Sequence, residues 1–327
     1  MTLSGADMVR VFHDDELRDH IDIPKLVARI EEGYQADSAG EVVPFPRTRT
    51  DTRGTTLAWM GAAIPPADLL GFRSYLYRSD GFDRGHQVVA LYGHRDMELR
   101  ALFIGRLVGN LRTGATIAAA LHLVEPSLGD VGIVGTGSQA RNALACIAAI
   151  FQAPRVVAWS PNPERRNSFG AWARSSLGLD IALAEGPEDV LARTHNVVLV
   201  TSSETAVVVK PMLREPKLLL SINSYRRPEI DIPILDGARF VWTDSVAQAS
   251  GPGTLFEIGG RKSKLRPLMQ GVRDGSVRDG RSTRVVINTG AAWEEVVTAQ
   301  LLYELGMERG MGTEIPLPTE STQLAIF

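Results

Sequence analysis

The sequence predicts an α/β protein that combines a doubly wound parallel sheet with a smaller α+β domain. Between residues 125 and 289, short apolar strands alternate with helical segments, which is typical of a parallel sheet buried on both faces. A glycine-rich turn, Gly135-Thr136-Gly137-Ser138-Gln139-Ala140, joins one of these strands to a helix. Residues 1–124 differ, because their strands carry aromatic and β-branched residues. We therefore place one domain at 125–289 and the other at 1–124 together with 290–327.

Composition excludes several classes of protein. The 327 residues suffice for about two domains, and 44% hydrophobic with 22% charged residues is ordinary for a globular chain. A net charge of −3 argues against a nucleic-acid partner, and the single cysteine, Cys146, excludes a disulfide framework and a cysteine-rich zinc site. No His, Asp and Glu set has metal-ligand spacing. Residues 1–20 lack an apolar core and no run of about 18 apolar residues occurs, so we expect a cytoplasmic protein without a membrane partner.

The first domain is predicted to contain two helices and two pairs of strands. Apolar residues at helical spacing predict one helix at 23–36, and an alanine-rich segment predicts another at 107–124. The strands are expected at 54–64, at 71–79, and at 87–105 on both sides of a turn at 93–96. Within 71–79, Arg73, Tyr75 and Tyr77 share one face because strand side chains alternate.

The second domain is predicted to contain a series of short strands and a closing helix. The strands are expected at 131–134, 156–159, 196–203, 217–223 and 238–245. Residues 261–284 are charged and contain glycine, so we expect them to be exposed. Residues 291–310 predict an amphipathic helix that crosses back to the first domain.

The glycine turn predicts a Rossmann-type dinucleotide site, because a strand precedes it and a helix and a second strand follow. Gly135 permits the tight turn, Gly137 lets a pyrophosphate approach the backbone, and Ala140 allows close packing of helix and strand. Thr136, Ser138 and Gln139 complete the binding turn at a helix N-terminus that favours an anion. The alternative is a glycine-rich turn that binds no nucleotide.

The tip of the second strand favours NADP(H), with NAD(H) as the alternative. An NAD site usually carries an acid there to hold the ribose 2′-hydroxyl. Here Ser160 and Asn162 offer hydrogen bonds, and Arg165 or Arg166 can face a 2′-phosphate. Glu164 argues the other way but lies past the tip. The arginines have an alternative interpretation as a solvated helix start.

A polar segment follows the strand at 196–203. Thr201, Ser202 and Ser203, with Glu204, lie where the carboxyl end of that strand is expected to border the cofactor. A helix cap is the alternative role for these residues.

Four segments together resemble the ornithine cyclodeaminase/mu-crystallin family. Arg112-Thr113-Gly114-Ala115 matches a family helix start, and the turn beginning at Gly135 matches the GxGxQA form of the family. Pro46-Arg47 matches an early substrate-binding arginine, and Asn288-Thr289-Gly290 matches the return to the first domain. Their order and spacing are shared over most of the chain.

The resemblance implies a fold and a class of activity. It implies a substrate domain that also forms a homodimer, a nucleotide domain, and a cleft between them in which Thr113 borders the cofactor. The family includes cyclodeaminases, alanine dehydrogenases, ketimine reductases and a thyroid-hormone-binding crystallin. We expect an NAD(P)H-dependent oxidoreductase that reduces a cyclic or acyclic imino acid. The alternatives are a catalytically silent binding protein that keeps its cofactor and a cyclodeaminase with altered chemistry.

Two positions depart from the family pattern at the expected catalytic site. Arg73 stands where the family usually has lysine, and Asn223 stands where cyclodeaminases carry aspartate. Arginine stays charged and asparagine cannot exchange a proton, so we expect no ornithine cyclodeaminase activity. The proton donor is not identified from the sequence. The residues near Arg73 in the sequence that could donate a proton are Tyr75, Tyr77, His86 and His94.

Three arginines are expected to line the cleft and to bind a small carboxylate. Guanidinium groups bind carboxylates bidentately, so Arg47, Arg73 and Arg112 favour an anionic substrate. Arg112 is expected at a helix start, where the helix dipole adds positive charge. The alternatives are a loop-surface position for Arg47 and a structural ion pair for Arg73.

Overall fold

The computed structural model describes residues 8–78, 86–152, 154–222 and 228–317 and contains two β-sheets. The strands are β1 (Met8–His13), β2 (Val43–Asp51), β3 (Thr55–Ile64), β4 (Leu69–Arg78), β5 (Gln87–Gly93), β6 (Leu99–Gly105), β7 (Asp130–Val134), β8 (Arg155–Trp159), β9 (Ala182–Leu183), β10 (Asn196–Leu199), β11 (Leu218–Ser221), β12 (Val241–Thr243), β13 (Leu265–Pro267), β14 (Arg284–Ile287) and β15 (Thr313–Pro316). The helices are α1 (Asp14–Leu17), α2 (Ile23–Ser38), α3 (Leu107–Val124), α4 (Ser138–Ile150), α5 (Pro163–Leu177), α6 (Pro187–Arg193), α7 (Ile232–Gly237), α8 (Val246–Ala249), α9 (Leu255–Ile258), α10 (Leu268–Arg273) and α11 (Ala292–Glu308).

The first sheet has seven strands in the order β15-β1-β6-β5-β4-β3-β2. The pair β1–β6 is parallel, and every other pair in this sheet is antiparallel. The predicted strands β3 and β4 and the hairpin β5–β6 are confirmed. The sequence analysis missed β1, β2 and β15. Strand β2 forms a local hairpin with β3, whereas β1 and β15 join the sheet through long-range pairing.

Strand β2 carries a bulge at the position of the early arginine. Phe45 pairs with Gly61 and Thr48 pairs with Trp59, so β2 has one residue more than β3 between these pairs. The bulge contains Pro46, whose missing N–H suits an interrupted ladder on an edge strand. A bulge re-aims side chains, and the one that follows Pro46 is Arg47.

The second sheet has eight strands, all parallel, in the order β13-β12-β14-β11-β10-β7-β8-β9. This confirms the predicted α/β class. The chain runs from β7 outward through β8 and β9, and then returns to the other side of β7 with β10. The strand order therefore reverses between β7 and β10, and ligands of open α/β sheets bind in the crevice at such a point.

The predicted second-domain strands exist; β10, β11 and β12 are shorter than expected, whereas β7 and β8 are each one residue longer. The paired residues of these three strands end at Leu199, Ser221 and Thr243. The expectation that 261–284 is wholly exposed was wrong. This segment supplies edge strand β13 and helix α10, and it buries Leu268 and Val277 between its charged residues.

Helix α3 confirms the predicted helix and lies in the core, packed against α2, α4 and α11. Gly114 allows the approach to α4, because a Cβ there would lie 2.5 Å from the carbonyl oxygen of Asn142. Among the described residues, α3 alone is long and apolar enough to cross a membrane by length and composition, which the sequence analysis did not expect. Since 61% of it is buried inside the fold, it has the character of a core helix.

Helix α11 returns to the first sheet, as predicted, and packs against β3, β4 and α2. It is not amphipathic in the expected sense, because polar and apolar residues are buried alike. Trp293 and Leu302 are buried, and so are the consecutive acids Glu294 and Glu295.

Candidate active site

The glycine turn has the geometry that a pyrophosphate group requires. Gly135 has φ of +109°, and a Cβ at this position would lie 2.3 Å from the carbonyl oxygen of Val200. Only glycine therefore fits there. A Cβ at Gly137 would meet nothing within 4 Å, so its backbone faces open space. Helix α4 begins immediately afterwards at Ser138, which directs the helix N-terminus to the same space.

A cleft of about 550 Å³ opens over this turn at the crevice between β7 and β10. It brings together most of the predicted cofactor residues, namely Gly135, Thr136, Gly137, Ser138, Gln139, Ser160, Asn162, Arg165, Thr201, Ser202 and Ser203. Ala140 is instead buried inside α4, in the packing position expected for it. Val207 and Ile222 also line the cleft, and no sequence signal marked them.

The tip of β8 is held by hydrogen bonds. The hydroxyl groups of Thr136 and Ser160 lie 2.7 Å apart, and the Asn162 side chain caps α5 by accepting from the backbone N–H of Arg165 at 2.9 Å. Arg166 donates to the carbonyl oxygen of Ser160 at 3.2 Å, whereas Arg165 lines the cleft. Glu164 is exposed and does not line the cleft. No carboxylate among the described residues lines it.

Glu229 fixes the ends of β10 and β11 beside the cleft. Its Oε1 accepts from the backbone N–H of Thr201 at 2.5 Å, and its Oε2 accepts from the hydroxyl of Ser221 at 2.6 Å. Glu229 is 1% exposed, and burial raises the pKa of its carboxyl. The sequence analysis missed this positioning role. No helix begins at Ser203 in the part of the chain that the structure describes, so the helix-cap alternative is not seen.

A smaller pocket of about 200 Å³ adjoins the dinucleotide cleft. The two cavities share Gln139 and Ile222 as lining residues. The other residues that line the smaller pocket are Arg47, Arg112, Thr113, Thr116, Asn288, Thr289, Gly290 and Glu294. Thr113 therefore lies here rather than in the larger cleft, and its hydroxyl donates to the carbonyl oxygen of Gly109 at 2.7 Å.

Arg47 reaches this pocket from the bulge in β2. Its guanidinium donates to the carbonyl oxygens of Thr289 and Gly290 at 3.3 and 3.1 Å. The side chain is thus not on a loop surface. Burial, together with the nearby charge of Arg112, lowers the pKa of Arg47, but an arginine side chain stays protonated in proteins.

Arg112 also lines the pocket and is held by two acids. Its Nε donates to Glu295 at 2.9 Å and its Nη1 donates to Glu294 at 3.2 Å. Burial opposes the charge of Arg112, but these two carboxyl groups raise its pKa above the ordinary value. The prediction of a helix-start position was wrong. Helix α3 begins at Leu107, so Arg112 lies in its second turn, beyond the reach of the N-terminal dipole.

Arg73 does not line the smaller pocket. It is 6% exposed, forms an ion pair with Glu295, and donates to Oε1 of Gln87 at 2.5 Å. Its guanidinium lies 4.5 Å from the centre of the Tyr75 ring. Gly109 makes room for it, because a Cβ there would lie 2.7 Å from the guanidinium. The expectation that Arg73 lines the pocket was wrong, and the structure shows the alternative, an ion pair with Glu295. A catalytic role for Arg73 stays a prediction.

The two acids of α11 differ in charge state. Burial alone would raise the pKa of Glu295, but the charges of Arg73 and Arg112 outweigh it and lower the pKa below the ordinary value. For Glu294, burial and the nearby Asp244 raise the pKa well above the ordinary value. The surroundings therefore favour the ionised form of Glu295 and the protonated form of Glu294. The Glu-Glu pair within an apolar helix was the signal that the sequence analysis passed over.

Asp244 holds the loop that leads into α11. Its carboxylate accepts from the backbone N–H groups of Thr289, Gly290 and Ala291 at 2.8 to 3.2 Å. This loop contains the predicted Asn-Thr-Gly segment, and its carbonyl oxygens hold Arg47. The sequence analysis did not identify Asp244.

Some predicted residues lie away from both cavities or outside the described part of the chain. Asn223 lies outside the described residues. His86 and His94 are exposed and line neither cavity. Within the described ranges, no group of three or more His, Cys, Asp or Glu residues is arranged to hold a metal ion.

The sequence profile of the ornithine cyclodeaminase/mu-crystallin family matches residues 7–309. The chain belongs to this family. The family assignment confirms the resemblance seen in the sequence.

The proteins that this chain resembles include reductases and a dehydrogenase. A Delta(1)-pyrroline-2-carboxylate reductase of Bacillus cereus is 22% identical over 70% of this chain and 73% of its own length. The structure of the Thermococcus litoralis enzyme of that name, in complex with NADH and L-proline, has a TM-score of 0.83 at 19% identity and covers 94% of this chain and 100% of that one. An archaeal alanine dehydrogenase dimer with bound NAD has a TM-score of 0.79 at 18% identity, over 94% and 99% of the two chains.

Proposed function

We propose that this chain is an NAD(P)H-dependent reductase of a small imino carboxylate. The observation that carries the proposal is the junction of the two cavities, because the dinucleotide cleft meets a pocket with two arginines at Gln139 and Ile222. The names of the reductases it resembles support the same activity.

In this proposal the larger cleft binds the dinucleotide and the smaller pocket binds the substrate. The turn beginning at Gly135 binds the pyrophosphate, and Arg47 and Arg112 bind the substrate carboxylate in the smaller pocket. The bound reduced nicotinamide supplies a hydride. The protein supplies orientation and charge complementarity, which is most of what hydride transfer requires of it. In this proposal the second sheet forms a nucleotide domain at 125–289, and 1–124 with 290–327 form the substrate domain.

The proposed activity is tested by the loss of NADPH absorbance with a panel of imines. Δ1-pyrroline-2-carboxylate and Δ1-piperideine-2-carboxylate are the first substrates to try, since relatives carry their names. Turnover of either one supports the proposal. Cofactor binding without turnover of any imine favours the silent binding protein instead, a role consistent with an Arg73 that is fixed by Glu295 and cannot act as a base.

We expect no ornithine cyclodeaminase activity from this chain. A guanidinium at 73 and an amide at 223 cannot replace the lysine and aspartate of such enzymes as proton carriers. Proline formation from ornithine at an enzymatic rate would contradict this expectation.

We further propose that NADPH binds more tightly than NADH. The support is a cleft without a lining carboxylate among the described residues, with Ser160, Asn162 and Arg165 at the tip of β8. The similar structures named above were determined with NADH or NAD, so the preference needs a direct test. Fluorescence titration with both cofactors measures it, and equal affinity or tighter NADH binding would refute the preference.

We propose that the protein is a homodimer formed through the first sheet. The outer face of β2, β3 and β4 exposes a set of large apolar side chains: Val43, Phe45, Leu57, Trp59, Phe72 and Leu76. Trp59 and Leu76 are each 45% exposed, and such a patch is typical of an interface. Light scattering should give a dimer for the wild type and a monomer for Trp59→Lys. A monomeric wild type would refute this assembly.

A further inference from the structure

The smaller pocket has one acidic group suited to proton transfer. Among the described residues, Glu294 is the one carboxyl group that lines it. The guanidinium groups of Arg47 and Arg112 do not release protons in proteins. The hydroxyls of Thr113 and Thr116 already donate to backbone carbonyl oxygens at 2.7 Å.

Contacts from the surrounding elements hold Glu294 in place. It is 0% exposed, and its two oxygens accept from the backbone N–H of Ala291 at 3.1 Å and from Nη1 of Arg112 at 3.2 Å. Asp244 faces it from the loop after β12, and this contact together with burial favours the protonated acid.

Other charged groups lie around this centre. Tyr34 of α2 interacts with both Glu294 and Asp244, and Asp37 of the same helix interacts with Asp244. Glu295, the next residue of α11, is neutralised by Arg73 of β4 and by Arg112. Arg47 of β2 lines the pocket. Glu294 therefore lies in the pocket beside the cationic groups of Arg47 and Arg112, in surroundings that favour its protonated form.

We propose that Glu294 is the proton donor to the imine nitrogen of the substrate. The inference rests on the proposed reductase function. The side-chain amide of Asn288 lines the same pocket, is 4% exposed, and has no partner for its Nδ2 among the described residues. It offers a further donor, next to Arg47 and Arg112, for the substrate carboxylate.

The reaction balances with this donor. The imine carbon accepts a hydride from the reduced nicotinamide and forms a new C–H bond, while the oxidised dinucleotide is the other product. The imine nitrogen takes the proton of Glu294 and forms a new N–H bond as the C=N π bond is lost. Glu294 remains as a carboxylate and is reprotonated from water.

The test compares a substrate that needs a proton with one that does not. Glu294→Gln should reduce kcat on Δ1-pyrroline-2-carboxylate by about 10²- to 10⁴-fold, the usual contribution of a positioned general acid. The N-methylated iminium carboxylate already carries its positive charge, so kcat on it should stay near the wild-type value. Glu294→Asp, which keeps the acid, should recover part of the loss on the imine and serves if the glutamine variant does not fold.

Two further readouts separate a proton donor from a structural residue. On the imine, wild-type kcat should fall as pH rises through the pKa of Glu294, and the glutamine variant should lack this dependence. Infrared spectra of the protein without ligands should show the carbonyl stretch of a protonated carboxylic acid that Glu294→Gln removes.

The outcomes distinguish this inference from the proposed function. A wild type that reduces none of the imines overturns the reductase function. A wild type that reduces them, with equal imine rates in Glu294→Gln or equal losses on imine and iminium, overturns only the role of Glu294.

Discussion

Glu294 and Glu295 allow a sharp test of the charge arrangement, because they are consecutive and equally buried but their pKa values are shifted in opposite directions. Glu295→Gln removes the negative charge that Arg73 and Arg112 share, and leaves two buried cations without it. Removing one partner of a buried ion pair costs about 3–5 kcal/mol of the free energy of unfolding. Glu294→Gln replaces a carboxyl group whose raised pKa favours the protonated form with a neutral amide of the same shape, which can still accept from Arg112. It should cost about 1 kcal/mol or less.

Equilibrium urea unfolding near neutral pH measures both variants, with refolding from urea as the check of reversibility. At a slope of about 3 kcal/mol per molar urea, Glu295→Gln should lower the midpoint by about 1 M or more. Equal losses from the two variants, or a Glu295→Gln midpoint close to the wild-type value, would refute the assigned charge states.

The pH dependence of this experiment has opposite signs for the two residues. The folded-state pKa of Glu295 is lowered, so its stabilisation is lost as pH falls through that value, and the deficit of Glu295→Gln should shrink in acid. The folded-state pKa of Glu294 is raised, so wild-type stability is lost as pH rises through that value. Glu294→Gln should therefore gain stability relative to the wild type in alkaline solution.

Three other predictions follow from individual residues. Arg112→Ala should weaken binding of a carboxylate such as L-proline about 10- to 150-fold, because it removes a contact worth about 1.5–3 kcal/mol. The NADPH affinity measured by calorimetry should not change. Equal losses of carboxylate and NADPH affinity would show that Arg112 is a structural or cofactor residue. Gly135→Ala should lower both Tm and NADPH affinity because its φ is +109°, whereas Gly137→Ala, with open space at its Cβ, should weaken NADPH binding at unchanged Tm. Burial and Asp244 raise the pKa of Asp37 to about 6. Asp37→Asn should therefore be more stable than the wild type above that pH, by about 1–2 kcal/mol after solvent screening, and equally stable near pH 3. A difference in the free energy of unfolding that does not change with pH would contradict the raised pKa.

Local chemistry determined the parts of the site that the sequence could predict. A glycine at 135 is required by its backbone angle, which belongs to the strand–turn–helix unit itself. The close carbonyl oxygen of Val200, which follows β10, adds a tertiary constraint at the same position. Hydrophobic periodicity likewise predicted α2, the alanine-rich composition predicted α3, and the alternation of apolar strands with helical segments predicted the parallel sheet. Each of these signals lies within a local stretch of the chain. The match to Arg47 and Arg112 came from short motifs in a shared order.

Only the tertiary structure decided how the charges pair. Arg73 and Glu295 are 222 residues apart and meet because α11 returns to the first sheet. The sequence shows an arginine and an acid but not their distance, so it left Arg73 between a binding role and an ion pair. The same holds for Glu294, whose protonation depends on burial and on Asp244 across the loop at 289–291. A pKa is set by the surroundings in space, and those arise from contacts between residues far apart in the chain.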